Sequence, residues 1–479
     1  MMMEEYRKNI NEMGELNDIS YVRPNNERIE IAALKSIKNS FFINIAVSLS
    51  RLIITLNLII LGHTLYDNNA HCNLFMIFQI GIFIVDVLGK FFILGLIKYL
   101  FEDKEEMEEL YNLYIRMKTL LVILIPTLLG PVCLLLTYYL MGLLSKINLD
   151  IYDQALNKEV YFKYLIFAPV IYLFEILFLL NLQFLLFQKK IQEVFSYVLS
   201  FLIAHFSLSW ILLYILEIDL IGLTFSYCLN TFLFYLFTNQ YIKKLYEETS
   251  QNIFFLFPSK SNFDGEVFTL LKEKSILAFI NIGDILFLHF LFFMTLFTDR
   301  NQLMVNVIYL NFYELICFIN KGFYLSLKKY ISTKIEEASK KQKYVAIFSF
   351  YFMILSLILF LILIIFKNIL LDCYIFGRGV KNLIEISNKL RIYFPLCLLL
   401  NSIRMILNGI NRGMNIPLPI VRKALYIAIC IILSYIFCFT YEYGIYGLWI
   451  SIFILNIFLI LDIVYKAIDA FPKFFNNFI

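Results

Sequence analysis

The chain has 479 residues, of which 61% are hydrophobic and 16% charged, and its mean hydropathy is +0.76. Soluble globular proteins are about half apolar and a quarter charged, and disordered chains are less hydrophobic still, so both classes are excluded. The net charge of +4 is too small to indicate a nucleic-acid partner. Because one bilayer span takes about 20 apolar residues, the sequence predicts a polytopic protein whose main partner is the lipid bilayer.

Twelve apolar segments follow one another along the chain. They lie near residues 39–63, 74–98, 118–142, 162–187, 195–216, 220–242, 275–298, 302–326, 343–366, 390–411, 421–440 and 445–466. Each is about twice as long as a barrel strand and lacks a two-residue alternation, which favours α-helices. The predicted fold class is therefore an all-α polytopic membrane protein with twelve transmembrane helices.

Positive charge is concentrated in alternate connections between these segments. Lysine and arginine cluster in 98–118, 188–194, 243–274, 327–343 and 412–423, and they are missing from 64–73, 217–219 and 441–444. Two predicted outer connections, 143–161 and 367–389, carry a few basic residues. The positive-inside rule then places both termini in the cytoplasm, without distinguishing a plasma membrane from an organelle membrane.

The longest polar break divides the chain into two sets of six segments. The predicted parts are a polar cytoplasmic tail, a first six-helix bundle, a cytoplasmic linker, a second six-helix bundle and a short tail, at 1–37, 38–243, 244–274, 275–468 and 469–479. This division suggests a search for an internal repeat.

The two sets resemble each other at three anchors in matching order. These are GKFFILGLIKYL from Gly89 with NKGFYLSLKKYI from Asn320, Pro169 with Pro395, and IGLTFS from Ile221 with YGLWIS from Tyr446, at separations of 231, 226 and 225 residues. Since six is an even number, corresponding helices enter the membrane from the same side. The sequence therefore predicts two parallel-repeat six-helix bundles around a central cleft, an arrangement suited to alternating access.

Several short motifs resemble those of the multidrug and toxic compound extrusion (MATE) transporters. The strongest are NGINRGMNIP from Asn408, expected to form a turn after the tenth span, and YEYGIYGLWIS from Tyr441, at the start of the twelfth. Gly62-His63 and QFLLFQ, with Gln183 in place of the usual Arg, agree more weakly. The resemblance implies a monomeric secondary transporter that exports cationic or amphiphilic molecules in exchange for H⁺ or Na⁺, without another cofactor.

Ionisable groups inside the spans are the candidates for such a mechanism, because a charge at the bilayer centre is costly. The resemblance implies coupling carboxylates in the seventh and tenth spans, but the matching positions are Leu288 and the neutral Asn401. The candidates for the ion-coupling and substrate cleft are Glu175, Asp284, His289, Asn401, Gln183 and Glu314. The predicted repeat places Glu175 opposite Asn401, where it could supply the missing charge. Arg51, Asp86, His205, Arg404 and Asp462 also lie within spans, and Lys321 is expected to snorkel from a span end.

Two other functions remain open at this point. A flippase for lipids or lipid-linked saccharides would need a cationic cleft, to which Arg51, Arg404 and Arg412 could contribute, whereas an acidic cleft favours cation export. A membrane protein that transports nothing is the other alternative, because both implied acids are missing. No nucleotide-binding, metal-binding or hydrolase motif occurs in the sequence, so no enzyme, catalytic residue or metal site is expected.

Overall fold

The computed structural model describes residues 48–64, 107–124, 154–188, 190–218, 220–245, 286–332, 338–366, 369–375, 380–414 and 420–470, with a few single positions between them. Every regular element in these ranges is a helix. The predicted second span near 74–98, the tail at 1–37 and linker residues 246–271 lie outside them.

Thirteen α-helices occur in the described ranges. They are α1 (Leu49–Thr64), α2 (Met107–Leu124), α3 (Gln154–Phe187), α4 (Ile191–Trp210), α5 (Leu220–Leu245), α6 (Leu286–Thr295), α7 (Arg300–Ser332), α8 (Ala338–Ile365), α9 (Ile369–Tyr374), α10 (Val380–Leu390), α11 (Tyr393–Gly413), α12 (Ile420–Tyr435) and α13 (Ile445–Ala470). Eight of these described helices are long and apolar enough to cross a membrane, and α1 and α6 are shorter apolar helices. These ten match predicted spans, which confirms the all-α polytopic fold class.

Three predicted connections are shorter than expected, because helices extend into them. The connection at 98–118 ends early, since α2 begins at Met107. The one at 143–161 contains the first two turns of α3, and the one at 367–389 contains α9 and most of α10. These helix ends carry polar residues, so apolar composition alone does not detect them.

The N-terminal half of the described fold packs α2, α4 and α5 around α3. Ring contacts join α3 to α5 in parallel register, with Phe174 against Phe232 at 4.8 Å and Phe178 against Phe234 at 6.1 Å between centroids. The fourth and sixth predicted spans therefore run in the same direction, as expected of spans two apart in a chain that crosses the membrane back and forth.

The C-terminal half is built around α7, α11 and α13, which are also parallel. Three hydrogen bonds of 3.0–3.1 Å join α13 to α7 at a constant separation of 143 residues, from Ile445 to Gln302, from Trp449 to Asn306 and from Asn456 to Tyr313. A helix pair keeps a constant separation only when its members run in the same direction. These helices are the eighth, tenth and twelfth predicted spans.

The two ends of the helical bundle differ in side-chain chemistry. At the basic end, defined here by Lys243, Lys244, Lys328 and Arg412, the helices α3, α5, α7 and α11 finish. At the aromatic end, α4 and α12 finish with exposed rings, including Trp210 (37% exposed), Tyr214, Tyr435 and Tyr441. Exposed Trp and Tyr at a common level are typical of a membrane–water interface.

The helices α4 and α12 finish in the same irregular turn. Each continues into five residues of π-helix, Ile211–Ile215 and Ile436–Thr440. The amides of Leu216 and Tyr441 each donate to the first carbonyl of their turn, at 3.0 Å in both cases. Corresponding residues are 225 apart, which is the separation of the third sequence anchor. The internal repeat is therefore visible in backbone hydrogen bonding.

Two glycines of the NGINRGMNIP motif allow α11 to approach α7 closely. A Cβ atom at Gly409 would lie 3.2 Å from a methyl carbon of Leu327, and one at Gly413 would lie 2.5 Å from the Cβ of Ile331. The spacing of four residues puts both glycines on one helix face, as in other close-packed membrane helices. The expected turn begins two residues later than the predicted end of the span, because α11 continues to Gly413 and the turn starts at Met414, within the motif.

The first helix contacts both halves near the aromatic end. Thr55 Oγ1 donates a hydrogen bond of 2.9 Å to Asn311 Oδ1 on α7, in the C-terminal half. Two residues later, Asn57 Oδ1 lies 2.6 Å from His205 Nε2 on α4, in the N-terminal half. Near its end, His63 Nε2 donates to the carbonyl oxygen of Cys373 at 3.0 Å. The two halves are therefore joined through α1 at this end.

Candidate substrate cavity

A cavity lies within the C-terminal half, between α6, α7, α11, α12 and α13. It extends from Glu314, near the middle of α7, to Lys423 in the first turn of α12 at the basic end. The space open to the centres of water-sized molecules is about 130 Å³. Since one water needs roughly 10–15 Å³ by this measure, the cavity has room for a small polar group together with a few carbons.

Most of the charged side chains in the described lining of this cavity are basic. It contains the four cationic side chains Lys321, Arg404, Arg412 and Lys423, and the single carboxyl of Glu314. The acidic cleft expected for cation export is therefore not the arrangement around this cavity. Lys321 contributes to the cavity lining, in addition to the position near a span end that was expected of it.

The only described acid of the cavity is paired with one of the predicted site residues. Glu314 Oε1 lies 3.9 Å from His289 Nε2 on α6, and both side chains are almost fully buried, at 3% and 1% exposed. A histidine can change its charge near neutral pH, so the pair could hold or release a proton. Both residues were predicted from the sequence as members of the site, but their contact with each other was not predicted.

Asn401 occupies the place where the resemblance implies an acid. Its Oδ1 accepts a hydrogen bond of 2.7 Å from Nη2 of Arg404, one turn further along α11, and Asn401 is fully buried. A carboxylate here would neutralise the arginine, whereas an amide leaves its positive charge in place. The substitution therefore makes this part of the C-terminal half more cationic.

The other predicted site residues are spread over the molecule. Glu175, which is 1% exposed, and Gln183 lie on α3 in the N-terminal half. Asp284 and Asp86 lie outside the described residues, as does the side chain of Arg51. The structure thus brings Glu314, His289 and Asn401 into one half, and the assignment of all six residues to an ion-coupling site stays a prediction.

Two ionisable residues of the predicted list have structural partners away from the cavity. Asp462 on α13 accepts a hydrogen bond of 3.1 Å from Arg422 on α12, close to the basic end. His205 contacts Asn57 and lies 3.2 Å from Ser226 Oγ, so it forms part of a buried polar group between α1, α4 and α5. Both residues therefore join helices to one another.

Lys118 is a buried cation at the point where the predicted connection 98–118 meets the third predicted span, 118–142. It lies on α2, is 4% exposed and donates a hydrogen bond to Asn239 of α5. Its ammonium group also lies over the rings of Tyr114 and Tyr235, at 5.7 and 5.2 Å from their centroids. A buried lysine needs such partners because removing its charge from water is costly.

No family model matches the sequence, and no curated protein matches it significantly. The fold, however, matches solved structures over almost the whole chain. A eukaryotic MATE transporter, AtDTX14, has a TM-score of 0.68 and 14% identity, covering 92% of this chain and 96% of its own. A MOP superfamily transporter from Pyrococcus furiosus has a TM-score of 0.64 and 14% identity, with 92% and 97% covered, and a binding pocket of reverse polarity is described for it.

The conformation can be compared with two structures of a multidrug resistance MATE family transporter of the MOP superfamily. The TM-score is 0.61 for the inward-facing conformation, at 15% identity and with 92% and 99% covered. It is 0.56 for the outward-facing conformation, at 13% identity and with 92% and 97% covered. These structures are of transporters. Despite the low identity, the chain has the fold of the MATE transporters of the MOP superfamily.

Proposed function

We propose that the chain is a secondary transporter that moves an amphiphilic molecule across the membrane by alternating access of its two halves. The observation that carries the proposal is the position of the cavity relative to α1. The halves are joined through Thr55 and Asn57 near the aromatic end, and the cavity runs from Glu314 toward the basic end. Such an asymmetry suits a transporter in one of its two access states.

The basic end is proposed to face the cytoplasm, by the positive-inside rule. In this orientation the cavity is inward-facing, in line with the higher TM-score for an inward-facing relative in fold. The opposite state requires the halves to separate at the aromatic end, where Thr55 meets Asn311.

The buried pair of Glu314 and His289 is the proposed place of ion coupling. His289 Nε2 and Glu314 Oε1 are 3.9 Å apart, and both side chains are buried beside the cavity. Protonation of this pair would therefore change the electrostatic environment of a molecule bound in the cavity. Export of organic cations in exchange for H⁺ or Na⁺ is supported by the buried carboxyls of Glu175 and Glu314. Movement of a lipid or lipid-linked saccharide is supported by the cationic lining described above.

The test measures the distance between the halves at the aromatic end. Spin labels are placed on cysteines at Leu216 and Tyr441, which are 55% and 58% exposed and equivalent in the repeat, in a background without the native cysteines. A matched control pair, Tyr441 and Phe366, lies within the C-terminal half. In lipid nanodiscs, the first pair should show two distances whose ratio changes between about pH 5 and 8 or with Na⁺, while the control distance stays constant.

A single distance for the first pair, unchanged by pH and by Na⁺, would reject alternating access. The variants His289→Gln, Glu314→Gln, Asp284→Asn and Glu175→Gln then identify the coupling group. The variant that removes it should abolish the response to pH while both distances remain accessible. If all four keep the full response, the coupling assignment is wrong.

A further inference from the structure

We propose that His63 forms a proton-sensitive latch at the aromatic end, which holds the transporter closed on that side when the ring is charged. The latch is the hydrogen bond of 3.0 Å from His63 Nε2 to the carbonyl oxygen of Cys373, and it joins the end of α1 to the end of α9. This inference rests on the proposed transporter function and concerns the regulation of its closed end.

The acceptor of this hydrogen bond is fixed to the C-terminal half. Cys373 precedes Tyr374, whose hydroxyl donates a hydrogen bond of 2.7 Å to Asn311 Oδ1 on α7. Tyr374 is 2% exposed, and Leu371 on the same short helix is fully buried. The carbonyl oxygen of Cys373 is therefore held in place relative to α7, and the latch opens when α1 moves away from α9.

The chemistry of the acceptor makes the latch depend on the protonation state of His63. A carbonyl oxygen can only accept a hydrogen bond, so Nε2 must carry a hydrogen. A neutral imidazole carries its one hydrogen on either nitrogen, and the form with Nδ1–H cannot make this bond. The imidazolium carries both hydrogens, and its charge-assisted bond is about twice as strong as a neutral one. Protonation therefore strengthens the latch.

Two helix ends meet at this contact. His63 lies in the last turn of α1, and Cys373 is the penultimate residue of α9. The last carbonyl groups of a helix have no partner within the helix, and a basic side chain that binds one of them stabilises the helix end. A charged ring at this place therefore stabilises the ends of both helices as well as the contact between them.

Protons can reach the latch from the aqueous side of the aromatic end. The Cys373 residue is exposed and His63 is partly exposed. The elements that pack on α1 carry other charged or titratable groups at this end, which are Asp372 and Tyr374 on α9, Asp299 and Arg300 at the start of α7, and Tyr214 and Glu217 after α4. Tyr66 and Asp67 follow α1 in the sequence and lie outside the described residues. Asp372, next to the acceptor along the chain, provides the control for a response that comes from an acid.

The first measurement reads the state of the ring and does not depend on transport. The chain has four histidines, so protein with ¹⁵N-labelled histidine in lipid nanodiscs gives few ring signals, and His63→Gln identifies those of His63. The form with Nε2–H should predominate at about pH 8, and the ring should gain its second hydrogen on acidification toward about pH 5. A ring that remains in the Nδ1–H form, or that keeps one charge state over this range, would overturn the proposal.

The second measurement uses the Leu216–Tyr441 distance with three substitutions at position 63. Arginine donates a hydrogen bond and is always charged, glutamine donates without a charge, and leucine does neither. The spin-labelled protein lacks the native cysteines, but a substitution of Cys373 keeps the backbone carbonyl that forms the latch. A His289→Gln background removes the other proposed proton-binding histidine from the response.

Acidification from about pH 8 to 5 should lower the ratio of open to closed protein roughly three- to tenfold when His63 is present. This response should be lost in all three variants and kept in Asp372→Asn. At pH 8 the open fraction should rise in the order His63→Arg, His63→Gln, His63→Leu. Because glutamine keeps the contact, the loss of its pH response cannot come from a folding defect at the end of α1.

A pH response that persists in His63→Gln, or that is lost in Asp372→Asn, would overturn the proposal. An open fraction in His63→Leu that is no higher than in His63→Arg would overturn it as well. If the ring signals are as expected but every protein shows one unchanging Leu216–Tyr441 distance, the transporter proposal fails and the proton-dependent contact between α1 and α9 stands.

Discussion

Glu217 and Glu442 are equivalent residues that both adopt the left-handed backbone conformation, with φ of 51° and 56°. Each follows a π-helical turn, and the two are 225 residues apart. Five residues later, Gly222 and Gly447 each pack closely against the preceding helix: a Cβ atom would lie 3.1 Å from Leu212 in one case and 2.6 Å from the Phe437 backbone in the other. The two halves thus share a strained connection that apolar patterning does not require.

The strain at these glutamates predicts that glycine stabilises both positions. A residue with a Cβ atom pays about 1 kcal/mol in this conformation, and glycine does not. Glu217→Gly and Glu442→Gly should therefore raise the melting temperature in detergent, each by a similar amount. Glu385→Gly on the exposed surface of α10 is the control and should lower it, since glycine weakens a helix interior. A fall in stability for either connection variant would contradict this account.

The close contact of α11 with α7 predicts a specific loss at Gly413. Gly413→Ala places a Cβ atom 2.5 Å from that of Ile331, so the helices must separate, at a cost of about 1–3 kcal/mol. Gly409→Ala, with 3.2 Å to Leu327, should cost less. Thermal unfolding of the variants measures both.

A second substitution tests whether the cost comes from this contact. Ile331→Ala removes only the atoms beyond Cβ, so it should recover part of the loss caused by Gly413→Ala and none of a loss elsewhere. Additive effects of Gly413→Ala and Ile331→Ala in a double-mutant cycle would show that the atoms of Ile331 beyond Cβ do not contribute to the cost.

Replacing the neutral Asn401 on α11 by an acid should change whether the cavity prefers an anionic or a cationic ligand. Asn401→Asp places a carboxylate beside Arg404, at the present 2.7 Å contact, and so adds a negative charge next to the cavity. In lipid nanodiscs, binding of the anionic probe decyl phosphate should weaken about tenfold and binding of the cationic probe decyltrimethylammonium should improve. The fluorescence of the buried Trp449, in a Trp210→Phe background, measures both affinities. Asn408→Asp, which lies closer to the basic end and in the cavity lining, tests whether the effect depends on position. An unchanged preference in Asn401→Asp would contradict this expectation.

Because Lys118 is buried, we expect substitutions of the two partners in its hydrogen bond, Lys118 and Asn239, to have different effects on stability. Lys118→Met keeps the volume and removes a buried charge, so the protein should be about as stable or more stable. Asn239→Leu leaves the ammonium group without that amide oxygen, so the protein should lose about 1–3 kcal/mol or more. Thermal unfolding distinguishes the two, and a larger loss in Lys118→Met would show that the charge itself stabilises the fold.

The hydrogen bond between α1 and α7 predicts control of the access state. Thr55→Val removes the donor to Asn311 and so weakens the closed aromatic end by about 0.5–1.5 kcal/mol. The population with separated halves, measured by the Leu216–Tyr441 distance, should rise roughly two- to tenfold. Thr298→Val, at a side chain that bonds within its own region of the C-terminal half, is the control. A population that responds to both variants alike would not support a specific contact.

Much of the fold is predictable from the sequence because a membrane span needs a long apolar segment. Span positions, their common direction in the two halves and the repeat at Ile221 and Tyr446 all follow from this requirement and are seen in the described residues. The polar helix ends were missed for the same reason. Residues such as Gln154, at the start of α3, lie in a helix that extends beyond its apolar part.

The charge of the cavity was harder to predict. Lys321, Arg412 and Lys423 lie near span ends, where basic residues are already explained by the positive-inside rule, so their place in the cavity lining was not inferred. The meeting of His289 with Glu314 depends on how α6 packs on α7, and helical periodicity contains no information on that packing. The same basic residues can therefore set the orientation of the chain in the membrane and line a cavity.

The two π-helical turns give both halves the same wide last turn at the aromatic end. A π-helical turn closes i→i+5 hydrogen bonds, so it contains one more residue than an α-helical turn. The turns at Ile211–Ile215 and Ile436–Thr440 occupy the same place in both halves. A turn already present in a single six-helix unit before its duplication would account for both copies.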